Sequence, residues 1–299
     1  VGLKLLNGGR NAPPAVFWVP ALFVGAVLLL PLIYLVVRSF DSGGDFFELL
    51  FRDRVGVILG RTILLVTTVT FASIVLALPL AWLTTRTDLP FRRAWVVLSA
   101  LPLVIPSYVA GFIVIAALGP RGMLYKALGG PLGIDSLPDI HGFAGALLTL
   151  TFLSFPYVVL TVRAAMLRID PAMEESSRGL GRGGWRTFFV VTLPLLRPGI
   201  AAGGLLVALY TLSDFGAVSL LHYETFTWAI FVQYDSALDR TLGAGLSLVL
   251  VVFALAVIGL ELVGRGRARF YSSSSSAIRP LTIVPLGHWK WPAVAFCTS

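Results

Sequence analysis

Long stretches without a charged side chain constrain this chain more than any other feature of it. No Lys, Arg, Asp or Glu falls between Arg10 and Arg38, Arg61 and Arg86, Arg93 and Arg121, His141 and Arg163, or Arg240 and Glu261. A sixth apolar run, Pro198 to Leu221, carries one acid, Asp214. A bilayer core about 30 Å thick is crossed by roughly 20 helical residues rising about 1.5 Å each. Each run meets that length. The pattern therefore predicts an all-α membrane protein with six transmembrane helices, at 15–37, 61–85, 94–118, 143–163, 198–221 and 241–263. Composition agrees, because 57% of the 299 residues are hydrophobic and only 13% are charged. The first run follows Lys4 and Arg10 as a secretory signal would. It is too long for one and lacks a small-residue cleavage site, so it reads as a retained first helix. The single Cys297 excludes an internal disulfide framework and a cysteine-rich metal site.

Orientation follows from the basic residues. With the N-terminus in the cytoplasm, segments 1–14, 85–93, 163–197 and 264–299 hold 16 of the 23 Lys and Arg, as the positive-inside rule requires. The high isoelectric point thus needs no nucleic acid. Short basic stretches beside helix ends set orientation, with contact to anionic membrane lipid a modest addition.

The same orientation places "MEESSRGLGRGGWRTFFVVTLPLLRP" (173–198) in the cytoplasm, between the fourth and fifth helices. Asp170 followed by Pro171 is a helix start: an N-cap acceptor, then a residue at N1 that lacks the unneeded N–H. A short helix is expected, with Ile169, Ala172, Met173 and Leu180 on one face and Glu174, Glu175 and Arg178 on the other, Glu174 and Arg178 spaced for an i,i+4 pair. Gly179 and Gly181 offer positive-φ positions to end it, Gly183 and Gly184 keep the chain bendable, and Pro194 and Pro198 mark where the next helix can start. From the residues alone, the segment is either a surface helix on lipid headgroups or a docking site for a cytoplasmic partner.

This segment resembles the cytoplasmic loop of ABC importer permeases, which reads Glu-Ala-Ala, three residues, Gly, nine residues, Ile, one residue, Leu-Pro. Glu175, Gly181, Val191, Leu193 and Pro194 fall on that spacing without a gap, with Ser176 and Ser177 in the alanine positions. The resemblance implies that residues 170–184 form the coupling helix that fits a groove of an ATPase subunit. Glu174, Glu175, Ser176, Ser177, Gly181, Val191, Leu193 and Pro194 are then the coupling set. "LPLAWLTTRTDLPFRR" (78–93), "LPLVIPSY" (101–108) and "SDFGAVSLL" (213–221) are similar to the iron(III) branch of these permeases, which commonly fuses two six-helix halves. The expectation is a permease half-domain over 1–270. After it, 271–299 would form a cytoplasmic linker, with its serine run flexible, and the truncated start of a seventh helix. A loose tail is the alternative for the last residues. The implied partners are two ATP-binding cassette ATPase subunits, a second permease half and a periplasmic substrate-binding protein, in a bacterial inner membrane. Related branches carry thiamine, aminoethylphosphonate, polyamines or sulfate.

No phosphate-binding Gly-x4-Gly-Lys-Ser/Thr, His-Glu-x-x-His, Gly-x-Ser-x-Gly or Cys/His cluster occurs. The chain therefore reads as a non-enzyme without cofactor, driven by a separate ATPase. His141, His222 and His288 are far apart and sit in loops. Asp214 is the one acid in an apolar run. A carboxylate at that depth is costly unless paired or hydrated, so it reads, with Ser213 and Gly216, either as a wall of the translocation path or as a buried hydrogen-bond anchor. Pro79, Pro102, Pro106 and Pro156 are expected to kink their helices. The outward His222-Tyr223-Glu224, with Tyr234 and Asp235, offers oxygen ligands suited to a hard ferric ion, although contact with a receptor or water suits them equally. A secondary transporter would need repeats and charged or broken helices at mid-membrane, and a membrane enzyme would need convergent acid, base or metal groups. The chain offers one such acid to the first and nothing to the second.

Overall fold

The computed structural model describes residues 15–40, 53–132, 138–235, 240–264 and 283–298. The basic start of the chain and the serine run lie outside the described residues. The elements are α1 Ala15–Phe40, α2 Asp53–Arg86, α3 Arg92–Ala100, α4 Ser107–Leu118, α5 Met123–Leu132, α6 Phe143–Met166, α7 Pro171–Gly179, α8 Gly184–Thr187, α9 Leu193–Ser213, α10 Gly216–Leu220, α11 Phe226–Asp235, α12 Arg240–Gly264 and α13 Lys290–Thr298. No strand occurs among the described residues, only an isolated parallel bridge between Thr87 and Val284. Among the described residues six helical stretches are long and apolar enough to cross a membrane: Trp18–Arg38, Asp53–Arg86, Ser107–Ala127, Phe143–Met166, Gly184–Ser213 and Leu242–Gly264.

Three of the expected helices differ in outline, the second by starting at Asp53 instead of 61. The run at 94–118 is not one helix. Pro102 and Pro106 each lack an N–H and clash with the preceding turn, so α3 gives way to a 3-10 turn at Leu101–Val104 and an extended Ile105 before α4 begins. The fifth span starts at Gly184 instead of Pro198 and stops at Ser213 instead of continuing to Leu221. Its early start is possible because a π-helical turn at Phe188–Thr192 widens the helix just before Pro194, where an ordinary turn would collide with the proline ring. Pro79 and Pro156, by contrast, stay inside the continuous helices α2 and α6.

The core is the α2–α6–α9 triad, built around the fully buried Leu65, Val69, Leu150, Val158, Val162 and Val207. Dispersion packing and small-residue contact, not water exclusion, hold helices together in lipid. Gly199 and Gly203 supply that contact: a Cβ at Gly199 would lie 2.8 Å from the Ala165 Cβ, and one at Gly203 would lie 2.8 Å from the Val158 Cα. Ser73 and Ser154 add a hydrogen bond between α2 and α6 at 3.2 Å.

The two ends of this bundle are separately tied. At one end the Gly142 N–H donates to the Leu221 carbonyl at 2.6 Å, and Arg61 pairs with Glu224 at 2.6 Å. At the other end α2 finishes at Arg86, α6 at Met166, and α7 packs beneath them.

Candidate functional site

The loop after α6 folds as local chemistry dictates. Asp170 caps α7, its carboxylate accepting the Ala172 N–H at 3.0 Å, and Pro171 occupies the first helical position. The helix ends in a Schellman motif: the Gly181 N–H donates to the Arg178 carbonyl at 2.9 Å and the Arg182 N–H to the Ser177 carbonyl at 3.4 Å, with Gly181 at φ +80. Gly179 does not share this role, since it remains inside α7.

The faces of α7 follow the apolar spacing at Ile169, which is buried, and at Glu175 and Arg178, which are exposed, but depart from it at three positions. Glu174 is the buried residue and Met173 and Leu180 are exposed, Leu180 by 79%. The reason is a cation that sequence periodicity does not reveal. Arg86, the last residue of α2 and only 3% exposed, faces Glu174 with Nη2–Oε1 at 3.3 Å and Nη1–Oε2 at 3.4 Å. The same Oε1 also accepts the Thr192 hydroxyl at 2.9 Å. Glu174 is therefore drawn inward by Arg86 instead of pairing along the helix with Arg178. Ser177 is also turned inward, its Oγ 3.2 Å from Thr187 Oγ1. Arg86, Thr187 and Thr192 were not legible as site residues, because each belongs to a different element and only the fold converges them on α7.

Glu174 and Ser177, both expected in the coupling set, are buried against the bundle at 7% and 5% exposure. Glu175, Ser176 and Gly181 are exposed, and around them Met173, Leu180 and Trp185 present bare apolar surface, Trp185 by 80%. Val191, Leu193 and Pro194 are half-buried in the π turn and the start of α9. The result is a short helix whose inner side is tied by an ion pair and two hydroxyls and whose outer side is an apolar knob flanked by charges of both signs, Glu175, Arg178 and Arg186. Wet surfaces seldom leave such a cluster bare unless it meets something.

The second candidate group lies where α9 ends. Asp214 is 7% exposed, and its carboxylate accepts the Ala217 N–H at 3.0 Å while its carbonyl accepts the Thr227 hydroxyl at 2.7 Å. Its carboxylate thus holds the first turn of the short α10. Gly216 permits the close approach of α10 to α4: a Cβ there would lie 2.8 Å from the Tyr108 N. Ser213 is exposed and its hydroxyl donates to the Tyr210 carbonyl. The break at Ser213–Phe215 therefore meets the Pro102–Pro106 break.

Two of the expected oxygen ligands, Tyr223 and Glu224, have partners within the chain. Glu224 pairs with Arg61, the Tyr223 hydroxyl donates to the Arg61 carbonyl at 3.1 Å, and His222 stacks on His141 at 5.3 Å between ring centres. Partial burial raises the Tyr223 phenol above its ordinary pKa, opposed by the Arg61 charge. His141 in turn sits 2.5 Å from Asp139, whose carboxyl is lowered chiefly by the hydrogen bond from the His141 backbone N–H and then by its side chain. Among the described residues no three His, Cys, Asp or Glu converge as metal ligands.

The chain belongs to the family described as the binding-protein-dependent transport system inner membrane component, which matches residues 73–265. It is a multi-pass member of that ABC permease family, in which ATPase activity lies in separate subunits. It is 34% identical over 281 residues to the Fe(3+)-transport system permease protein FbpB 2 of Haemophilus influenzae, covering 93% of this chain and 51% of that protein. To the molybdenum transport system permease protein ModB of Escherichia coli it is 36% identical over 137 residues, covering 46% of this chain and 58% of that one. The chain spans about half the length of these relatives. Among solved structures, a bacterial ABC transporter that imports alginate shares the fold at a TM-score of 0.65 and 17% identity, covering 85% of this chain and 96% of that one. The MetNI methionine transporter does so at 0.54 and 18%, covering 76% and 100%.

Proposed function

We propose that this chain is the permease half of an ATP-driven importer that moves ferric iron from the periplasm to the cytoplasm, with its N-terminus and α7 on the cytoplasmic side. The observation that carries the reading is α7 itself. Residues 170–184 form a coupling helix whose exposed Met173, Glu175, Leu180 and Trp185 dock an ATPase subunit, while Arg86, Thr187 and Thr192 hold its back to the bundle. A rigid mount is what a transmitting element needs, since a push on a loosely held helix would be dissipated locally. Closure of two ATPase subunits on ATP moves α7, and helices two to six rock against a second permease half, alternating access to a path between them. The path passes the helix breaks at Ser213, Asp214 and Gly216, where a periplasmic binding protein delivers its cargo.

Iron is favoured by the 34% identity to the Fe(3+) permease across nearly the whole of this chain. Molybdate and sulfate are the second reading, favoured by shorter matches to ModB and to the sulfate permease CysT of Escherichia coli.

The test is capture of the neighbouring ATPase by the detergent-solubilised chain, with and without Glu175→Arg and Gly181→Trp. Wild type should retain the ATPase, and both variants should lose it while staying folded. No capture by wild type, with the second half and the receptor co-expressed, would refute the coupling reading. Uptake of radioactive Fe(III), molybdate and sulfate by the reconstituted system then separates the substrates.

A further inference from the structure

The segment after the sixth span is fastened to the same corner that holds α7. The Val284 N–H donates to the Arg86 carbonyl at 2.8 Å, beside the parallel bridge to Thr87. Asp88 then takes the segment with both carboxylate oxygens: Oδ1 accepts the Leu286 N–H at 2.8 Å and Oδ2 pairs with Lys290 Nζ at 2.7 Å. Gly287, at φ +52, lets the chain turn from this extended stretch into α13. The first residues of α13 bring Ala293 against Leu83 and Leu89, both buried, with Leu286, Val294 and Cys297 around them. Two hydrogen bonds, an ion pair and an apolar cluster therefore hold 283–298 across the end of α2.

Arg86 is the residue common to both attachments. Its backbone carbonyl receives the strap, and its side chain receives Glu174 of α7. The turn around it leaves little slack, since Thr87 is fully buried and Leu89 is 3% exposed.

We propose that residues 283–298 act as a strap that sets the position and stiffness of α7, with Arg86 as the positioning residue that joins the two. Whatever tightens or frees the strap then changes how firmly the coupling helix is mounted. The consequence for transport rests on the coupling-helix reading above, but the mechanical link between strap and α7 does not.

The experiment is hydrogen exchange on the full chain in lipid nanodiscs, comparing wild type, Lys290→Arg, Lys290→Glu and the double variant Val284→Pro with Lys290→Glu. The double variant removes the donor to Arg86 and places an acid against Asp88, so the amides of 284–290 should lose protection. The α7 amides should then exchange roughly tenfold faster, while the α6 and α9 core peptides stay unchanged and report that the fold is intact. Lys290→Glu alone should give a smaller effect in the same direction, and Lys290→Arg, which keeps the cation, should behave as wild type. Release of the strap with α7 protection unaltered would overturn the proposal, as would a strap already unprotected in wild type. ATPase capture on the same samples separates the two readings: failure of wild type to bind would sink the coupling role of α7 while the response of α7 to the strap stood as measured.

Discussion

Removing the Glu174 carboxylate is expected to be among the most damaging single changes at this end of the bundle. Arg86 and Glu174 are 3% and 7% exposed, so neither charge is solvated by bulk water. At 3.3 Å and an effective dielectric constant of about 20, their attraction is roughly 5 kcal/mol. The contacts at 3.3 and 3.4 Å are longer than charge-assisted hydrogen bonds usually are, so the attraction is mainly electrostatic. Much of it is offset by the cost of taking both ions out of water, and the net worth of the intact pair is small. Glu174→Ala is different, because it leaves Arg86 buried and uncompensated. The expected loss is about 3–5 kcal/mol, plus about 1 kcal/mol for the Thr192 hydroxyl that loses its acceptor. Arg86→Met should cost a similar amount through the stranded carboxylate. The double variant Arg86→Met with Glu174→Leu removes both charges at similar volume and should return to within about 1 kcal/mol of wild type. Denaturant unfolding in detergent micelles, run as a double-mutant cycle, measures all three. A Glu174→Ala cost below about 1 kcal/mol, or a double variant costing the sum of the singles, would refute the buried-pair argument.

Gly181→Ala should destabilise α7 by about 1 kcal/mol, since Gly181 sits at φ +80, whereas Gly179→Ala should be neutral or slightly stabilising because that glycine is helical with open space around it; circular dichroism of the unfolding transition distinguishes them. Gly203→Leu should force α9 away from α6, because a Cβ there already meets the Thr161 Oγ1 and Val158, and loss of folded protein on size exclusion in detergent is the readout. The Asp88 carboxyl is held below its ordinary pKa, first by the hydrogen bond from Lys290 and then by the Leu286 N–H. A group depressed in the folded state contributes stability above its unfolded pKa, near 3.9, and loses it as pH falls through the lower folded value. Strap protection should therefore persist at neutral pH and collapse only in acid below the usual carboxylate range; release already between pH 7 and 5 would contradict the assignment.

The capped start of α7, its glycine stop and the spacing of Glu175, Gly181, Val191, Leu193 and Pro194 were legible because each depends on neighbours within a few residues. The inward turn of Glu174 was not. Helical periodicity sorts apolar from polar positions on the assumption that acids seek water, and Arg86, 88 positions earlier, breaks that assumption. The same limit explains the fifth span. Pro194 and Pro198 read as helix starters, yet the π turn before Pro194 absorbs the proline and carries the helix back to Gly184. Asp214 was legible as a residue in need of a partner. That the partner is the Ala217 N–H of a short returning helix depended on α10 meeting α4 across Gly216.

The sequence by itself determined that this chain enters a membrane six times, because charge-free runs of sufficient length have few alternatives in or out of lipid. It also determined where α7 begins and ends, since capping is satisfied locally. Only the tertiary structure decided which face of α7 is offered outward, which breaks meet, and that residues 283–298 return to Arg86 and Asp88. Those outcomes depend on pairings between distant charges and close helix contacts, whose energies exist only once the spans have packed.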